Sequence, residues 1–251
     1  LRIKEHDVCV QGVTEALKAG YRAIDTAAIY QNEEAVGEAI KASGIARDEL
    51  FITTKVWNAD QGYDNTLKAF EQSLQKLGLD YVDLSLTHWP KPQLVDTYKA
   101  IERLYEEKLI RVPGVSNHHE HHLQQIFAEA NVLPMVNQIE CHPSLSQDAL
   151  RAFCAEHNIA VTAWAPLGTG IVFTHPIVKQ LAEKYSKTPA QIVLRWHLEI
   201  GNIVIPKSIT PERIVENLAI FDFTLQADEV ATISALNTFH RTGSDPDNFN
   251  F

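Results

Sequence analysis

Asp25, Tyr30, Lys55 and His88 are side chains whose types, taken together, make a proton donor. A phenol with an ordinary pKa near 10 is a poor acid or base at neutral pH. An ammonium within about 4–6 Å favours the phenolate, and an aspartate beside that lysine keeps it charged and oriented. A neutral histidine can hydrogen-bond a carbonyl oxygen and fix its direction. Such an assembly delivers a proton to an oxygen that becomes negative as it reacts, which is what reduction of a carbonyl by hydride demands. Each residue also has an ordinary reading on its own: Asp25 as a turn cap, Lys55 as a solvated strand end, His88 as a satisfied core histidine.

The four converge only if the chain sets them at neighbouring strand ends. Short β-branched runs predict strands over 22–25, 51–56, 82–88, 112–116, 136–140, 160–165 and 203–207. Between them, apolar residues recur at helical spacing over 65–77 (Leu67, Phe70, Leu74, Leu77), 95–109 (Tyr98, Ile101, Leu104, Tyr105) and 150–157. Ser146, Thr188 before Pro189 and Thr210 before Pro211 are plausible helix starts. Successive strand ends lie 24 to 33 residues apart, with a last interval of 42. That alternation means parallel strands joined by right-handed crossovers. No G-x-G-x-x-G follows the first strand, which weighs against an open dinucleotide-binding sheet. The polar and reactive residues sit at strand C-terminal ends, where barrel active sites are built. The expected fold is therefore a (β/α)8 TIM barrel, read as one domain over residues 1–251 with no linker or internal repeat. Only seven strands are visible, so the eighth is expected to have preceded Leu1; a chain that opens on Leu1, with Met135 its only methionine, was processed or trimmed on this reading.

Composition narrows the partners. Asp+Glu number 32 against 22 Lys+Arg, a net charge of -10 that argues against nucleic acid. No apolar run approaches the ~20 residues of a membrane span, and no signal-peptide pattern opens the chain. Cys9, Cys141 and Cys154 are odd in number and lack metal spacing, which suits a reducing cytoplasm.

The ordered motifs IDTAAIY, FITTKVWN, LSLTHWP, GVSN, VNQIECHP and IPKSITPERIVEN resemble the aldo-keto reductase superfamily from about Tyr21 to the DPDNF segment at 245–249. The resemblance is strongest to its short-loop microbial members, which include 2,5-diketo-gluconate reductases, glyoxal and methylglyoxal reductases and prostaglandin F synthase-type enzymes. It implies Tyr30 as general acid, Lys55 and Asp25 as its tuners, and His88 as the group that orients the carbonyl. It further implies NADP(H) as cofactor, with Ser116, Asn117 and Gln138 on the nicotinamide carboxamide and Trp164 stacked on the ring. Leu167 and Gly168 would lie along the pyrophosphate, and Glu216 and Asn217 would face the adenine.

In the segment after the last strand, Lys207, Ser208, Thr210 and Arg213 bring two charges, two hydroxyls and a helix start to one place. That is a site for the 2′-phosphate that NADP carries and NAD lacks. Trp57, Asn58 and Trp89 follow the catalytic lysine and histidine and are the expected substrate contacts. Short connections after Pro90 and Gly170 imply an open pocket for small or polar carbonyls. A small-molecule carbonyl is thus the expected partner of a monomeric, cytoplasmic enzyme. The rivals are a non-catalytic NADP(H)-binding barrel protein and a barrel hydrolase using Asp25 and Glu140 as paired carboxylates.

Two departures stand out. The family carries an aromatic after GVSN, where this chain has His118, opening the run His118-His119-Glu120-His121-His122. His118 and His122 stand at i,i+4, a spacing that can hold zinc or nickel, but the pattern is not H-E-x-x-H and offers no third ligand, so no metal is expected. The family's N-terminal hairpin and first barrel strand are also not visible.

Overall fold

The computed structural model of the protein describes residues 2–251. The described residues form two compact units: residues 2–137 with 209–211 and 251, and residues 138–208 with 212–250.

The first unit begins with α1 (His6–Ala19) and then alternates strand and helix: β1 (Ala23–Asp25), α2 (Glu33–Ser43), β2 (Phe51–Val56), α3 (Tyr63–Leu77), β3 (Val82–Thr87), α4 (Leu94–Glu106), β4 (Ile110–Ser116) and α5 (Glu120–Phe127). Strands β1 to β4 pair in parallel, each with the next. The β-branched runs form these strands because their stiff side chains pack on a pleated surface, while Leu67, Phe70, Leu74 and Leu77 make an apolar stripe on α3. Gly20, Gly44 and Gly78 end α1, α2 and α3 in the left-handed conformation that glycine adopts without strain.

Register decides which side chains share a face. Asp25 pairs with Thr53, Thr53 with Leu84, and Leu84 with Val112; Lys55 pairs with Leu86, and Leu86 with Gly114. Side chains alternate along a strand, so Asp25, Lys55, Leu84, Leu86, Val112, Gly114 and Ser116 all project to one side. The lower part of that face is packed by Leu84, Leu86, Val112 and Val136. Gly114 leaves them room: a Cβ there would lie 2.7 Å from Leu86 Cδ2 and 2.9 Å from the Val136 carbonyl oxygen. The functional side chains of the same face stand at the strands' C-terminal ends.

β5 (Val136–Glu140) begins in the first unit and ends in the second. The second unit continues with α6 (Asp148–Glu156), β6 (Ala160–Trp164), α7 (Pro176–Tyr185), α8 (Pro189–Glu199), β7 (Ile203–Val204), α9 (Pro211–Leu218) and α10 (Ala227–Ser234). β6 and β7 pair in parallel. Trp196, Val193, Ile192, Val178 and Ile233 form its core. Thr188 caps α8 in a reciprocal box with Gln191, as the Thr-Pro signal predicts. The expected strand over 203–207 stops at Val204; Pro206, without an N–H, cannot continue a ladder. No helix among the described residues is long and apolar enough to cross a membrane.

Candidate active site

Three of the four proton-donor candidates stand at the ends of successive strands, and Tyr30 closes the short helical turn Ala28–Tyr30 just after β1. Lys55 is buried, 1% exposed, and its Nζ donates to the Asp25 carboxylate and, at 2.8 Å, to the Thr26 carbonyl. The ammonium lies 5.2 Å from the centroid of the Tyr30 ring. His88 meets that ring edge-on, centroids 5.7 Å apart. Burial, then the Lys55 ammonium, hold His88 well below the usual imidazole range, so it stays neutral. Its Nδ1 is buried with no partner among the described residues. Charge, phenol and neutral imidazole therefore meet in one place, as the spacing requires.

Ser116 and Asn117, both buried, continue the same rim. Asn117 donates from Nδ2 to the His88 carbonyl at 3.0 Å and to Ser116 Oγ at 3.2 Å. Its φ of 64° is the left-handed region that asparagine tolerates better than most residues. His118 turns inward, fully buried, with its ring Nδ1 2.9 Å from the Ser116 carbonyl. Since a carbonyl only accepts, Nδ1 carries the proton there, and burial pushes the pKa down to about 3. His118 is thereby spent on the backbone beneath Asn117, which takes it out of the i,i+4 pairing with His122 that the spacing alone allowed.

The expected substrate contacts gather around a residue that sequence reasoning missed. Trp57 stacks on Phe251, with ring centroids 5.8 Å apart and planes 5° from parallel. Trp89 meets Phe251 edge-on at 5.2 Å, and His88 meets Trp57 edge-on at 5.2 Å. Asn58 Nδ2 and Lys91 Nζ donate to the Phe251 carbonyl at 3.0 and 3.2 Å. An aromatic so distant in sequence belongs to no local motif, so only tertiary structure reveals it.

The second unit carries the remaining candidates except Thr210, which belongs to the first. Gln138 is buried in the middle of β5, and Trp164 is half-buried at the end of β6. Glu140, fully buried, accepts from Thr242 N at 2.5 Å, Thr242 Oγ1 at 2.6 Å, Gly243 N at 3.2 Å and His142 Nε2 at 3.0 Å. Burial pushes its pKa up, but the bonds from His142 and Thr242 outweigh this and leave it lowered. This carboxylate is fully committed to the 242–243 segment and Asp25 to Lys55, so the paired-carboxylate hydrolase reading fails. Gly243 packs against the Trp164 indole so closely that a Cβ there would overlap the ring.

Leu167 and Gly168 begin the irregular segment 167–174. Gly168 has φ +50, and a Cβ on it would sit 2.8 Å from His142 Cγ. The backbone carbonyl of Pro166, just before it, is held by His197 Nε2 at 2.9 Å, and the other ring nitrogen of His197 is 3.1 Å from Asn202 Nδ2. Lys207 and Arg213 are exposed and form no ion pair among the described residues. Ser208 and Thr210 are half-buried, Asn217 is buried, and Glu216 accepts from Thr188 Oγ1 at 2.7 Å.

The model of the aldo/keto reductase family matches residues 5–238. The chain is 50% identical to a glyoxal reductase of Bacillus subtilis over 100% of this chain and 91% of that protein. It is 54% identical to the methylglyoxal reductase DkgA of Yersinia pestis, covering 94% and 87% of the two chains. Among solved structures, MGS-M4, an aldo-keto reductase enzyme from a Medee basin deep-sea metagenome library, superimposes with a TM-score of 0.97 at 46% identity, over 100% of this chain and 94% of that one. A Gox0644 mutant in complex with NADPH does so with a TM-score of 0.94 at 45% identity, over 98% and 91%. A parallel α/β architecture with a Tyr-Lys-Asp-His cluster at its strand ends agrees with these matches over nearly the whole chain: it belongs to the aldo/keto reductase family, which has the (β/α)8 barrel fold, binds NADP(H) and reduces carbonyl compounds.

Proposed function

We propose that this protein is an NADPH-dependent reductase of small, polar aldehydes and ketones, of the glyoxal and methylglyoxal kind, with Tyr30 as its general acid. The reading is carried by one observation: a buried ammonium, anchored by Asp25 and Thr26, set against the ring of Tyr30 beside a neutral His88.

The residues present fit the cofactor. Lys207 and Arg213 are two cations without carboxylate partners among the described residues, suited to a 2′-phosphate, with the Ser208 and Thr210 hydroxyls between them in sequence. Gly168 keeps a backbone cradle that a Cβ would fill, which suits the passage of a pyrophosphate along Leu167 and Gly168. Ser116, Asn117 and Gln138 are buried polar groups for the carboxamide, and Trp164 offers a half-buried face to the ring. Asn217 is a buried amide for the adenine, whereas Glu216 is already bonded to Thr188 and has only its remaining oxygen to offer. NADPH, when bound, supplies the hydride.

The protein's own residues handle the oxygen. His88 is neutral and donates a hydrogen bond to the carbonyl oxygen, fixing its direction. Tyr30 transfers its phenolic proton as negative charge develops, and the Lys55 ammonium stabilises the phenolate left behind. Asp25 keeps that ammonium from turning away. The connections after Trp89 and Gly170 are short, since α4 starts at Leu94 and α7 at Pro176. This supports small carbonyls, framed by Trp57, Asn58 and Trp89.

The test is NADPH oxidation with methylglyoxal. Tyr30→Phe is expected to lower kcat by about 10²–10⁴ while NADPH still quenches tryptophan fluorescence. Wild-type-like turnover in that variant overturns the role of Tyr30. No oxidation of NADPH by the wild type across a panel of carbonyls, with the cofactor bound, decides for the non-catalytic binding protein.

A further inference from the structure

We propose that His119, His121 and His122 form a surface site for a divalent transition-metal ion, zinc in the first instance, separate from the proton-donor cluster. The sequence spacing points to His118 and His122 and leaves the set one ligand short; the fold discards His118 and supplies two others. His119 stands just before α5, while His121 and His122 lie in its first turn. A residue at the start of a helix reaches over the third residue beyond it, which brings His119 onto His122. The rings of His119 and His122 have centroids 5.9 Å apart, those of His121 and His122 are 3.9 Å apart, and those of His119 and His121 6.1 Å. Ligand nitrogens of the three all lie within 4.8 Å of one another. Small χ rotations close that spacing to what a single ion needs.

The chemistry of the donors selects the ion. Three imidazoles without a thiolate favour zinc, nickel or copper over calcium or magnesium. His119 is half-buried, His121 exposed and His122 nearly buried, so an ion enters from solvent and is backed by protein on one side. His122 Nδ1 accepts the His119 backbone N–H at 3.1 Å, which puts the neutral ring's proton on Nε2. Coordination through Nε2 moves the proton to Nδ1 and ends that bond. The site therefore trades the helix-capping contact between His119 and His122 for metal–nitrogen bonds, which makes its binding reversible.

The experiment uses tag-free, EDTA-treated protein in equilibrium dialysis against zinc chloride. One zinc per chain is expected, with affinity falling about 100-fold in His119→Asn/His121→Asn and unchanged in His240→Asn, an exposed histidine outside the cluster. Cobalt substitution should give d–d absorption bands that the double variant lacks. Circular dichroism of the double variant and its NADPH binding should match wild type, which separates lost ligands from lost fold. Failure of the wild type to retain zinc, or equal retention by the double variant, overturns the site. Neither result bears on the reductase reading.

Discussion

Glu140 on β5 and Thr242, 102 residues later, are joined twice, through the Thr242 backbone N–H and through its hydroxyl. The carboxylate also takes the Gly243 N–H, so one buried side chain ties down a segment that rests on Trp164. An amide that keeps its oxygen on Thr242 turns its NH₂ toward the Gly243 N–H, which only donates. Glu140→Gln should therefore cost about 1–3 kcal/mol of stability and raise hydrogen exchange at the Thr242 and Gly243 amides. Unchanged protection at those two amides would show that the segment is held by packing alone.

Lys55 and Asp25 form a buried ion pair, and removing either partner strands the other charge. Lys55→Met is expected to destabilise the fold by about 3–5 kcal/mol and to abolish turnover. Lys55→Met/Asp25→Asn should recover most of the stability and none of the activity. Urea melts and the methylglyoxal assay, run on both variants, separate the two effects; recovered activity in the double variant would contradict the role given to the ammonium.

On the proposed reading, cofactor choice rests on Lys207 and Arg213. Hydrogen bonds to charged groups contribute about 1.5–3 kcal/mol, so Arg213→Ala should weaken NADPH roughly 10- to 100-fold and leave NADH nearly unchanged. Fluorescence titration with each nucleotide reads this directly. An equal loss for both would move the 2′-phosphate elsewhere.

Acid stability follows from three buried imidazoles. Burial holds His88, His118 and His197 below their ordinary range, the last two down to about 3. The unfolded chain takes up a proton at each below about pH 6.5, and the folded chain does not. Stability is thus fully present above that pH and declines as pH falls, by about 1.4 kcal/mol per pH unit for each ring. Glu140, with its lowered pKa, acts in the same direction at lower pH. His118→Phe, which restores the aromatic found after GVSN in the family, should make the decline between pH 6 and 4 shallower by one ring's share. Urea midpoints measured across that range check it, and an unchanged slope would mean that His118 does not titrate on unfolding.

The strand ends bearing Asp25, Lys55, His88 and Ser116 were legible because β-branched runs announce strands and register sets the shared face. β7 was read too long because apolar character continues through Ile205, while Pro206 ends the ladder. Thr188 announced its helix through side-chain chemistry that acts within four residues. Phe251 and the bonds of Glu140 to Thr242 were not legible, since both depend on segments that meet only after folding. Glu140 was noticed as a carboxylate, but a carboxylate's partners decide whether it is a catalyst or an anchor. The inward turn of His118 was not legible either: spacing along a helix does not say which ring faces inward.

The parallel rings of Trp57 and Phe251 separate taste from chemistry. One wall lies two residues after Lys55 in sequence, while the other comes from the far end of the sequence. On the proposed reading, changes at position 251 would widen or narrow the range of accepted carbonyls while the acid stays intact, giving a lineage of such enzymes a dial for new substrates that leaves the reaction itself alone.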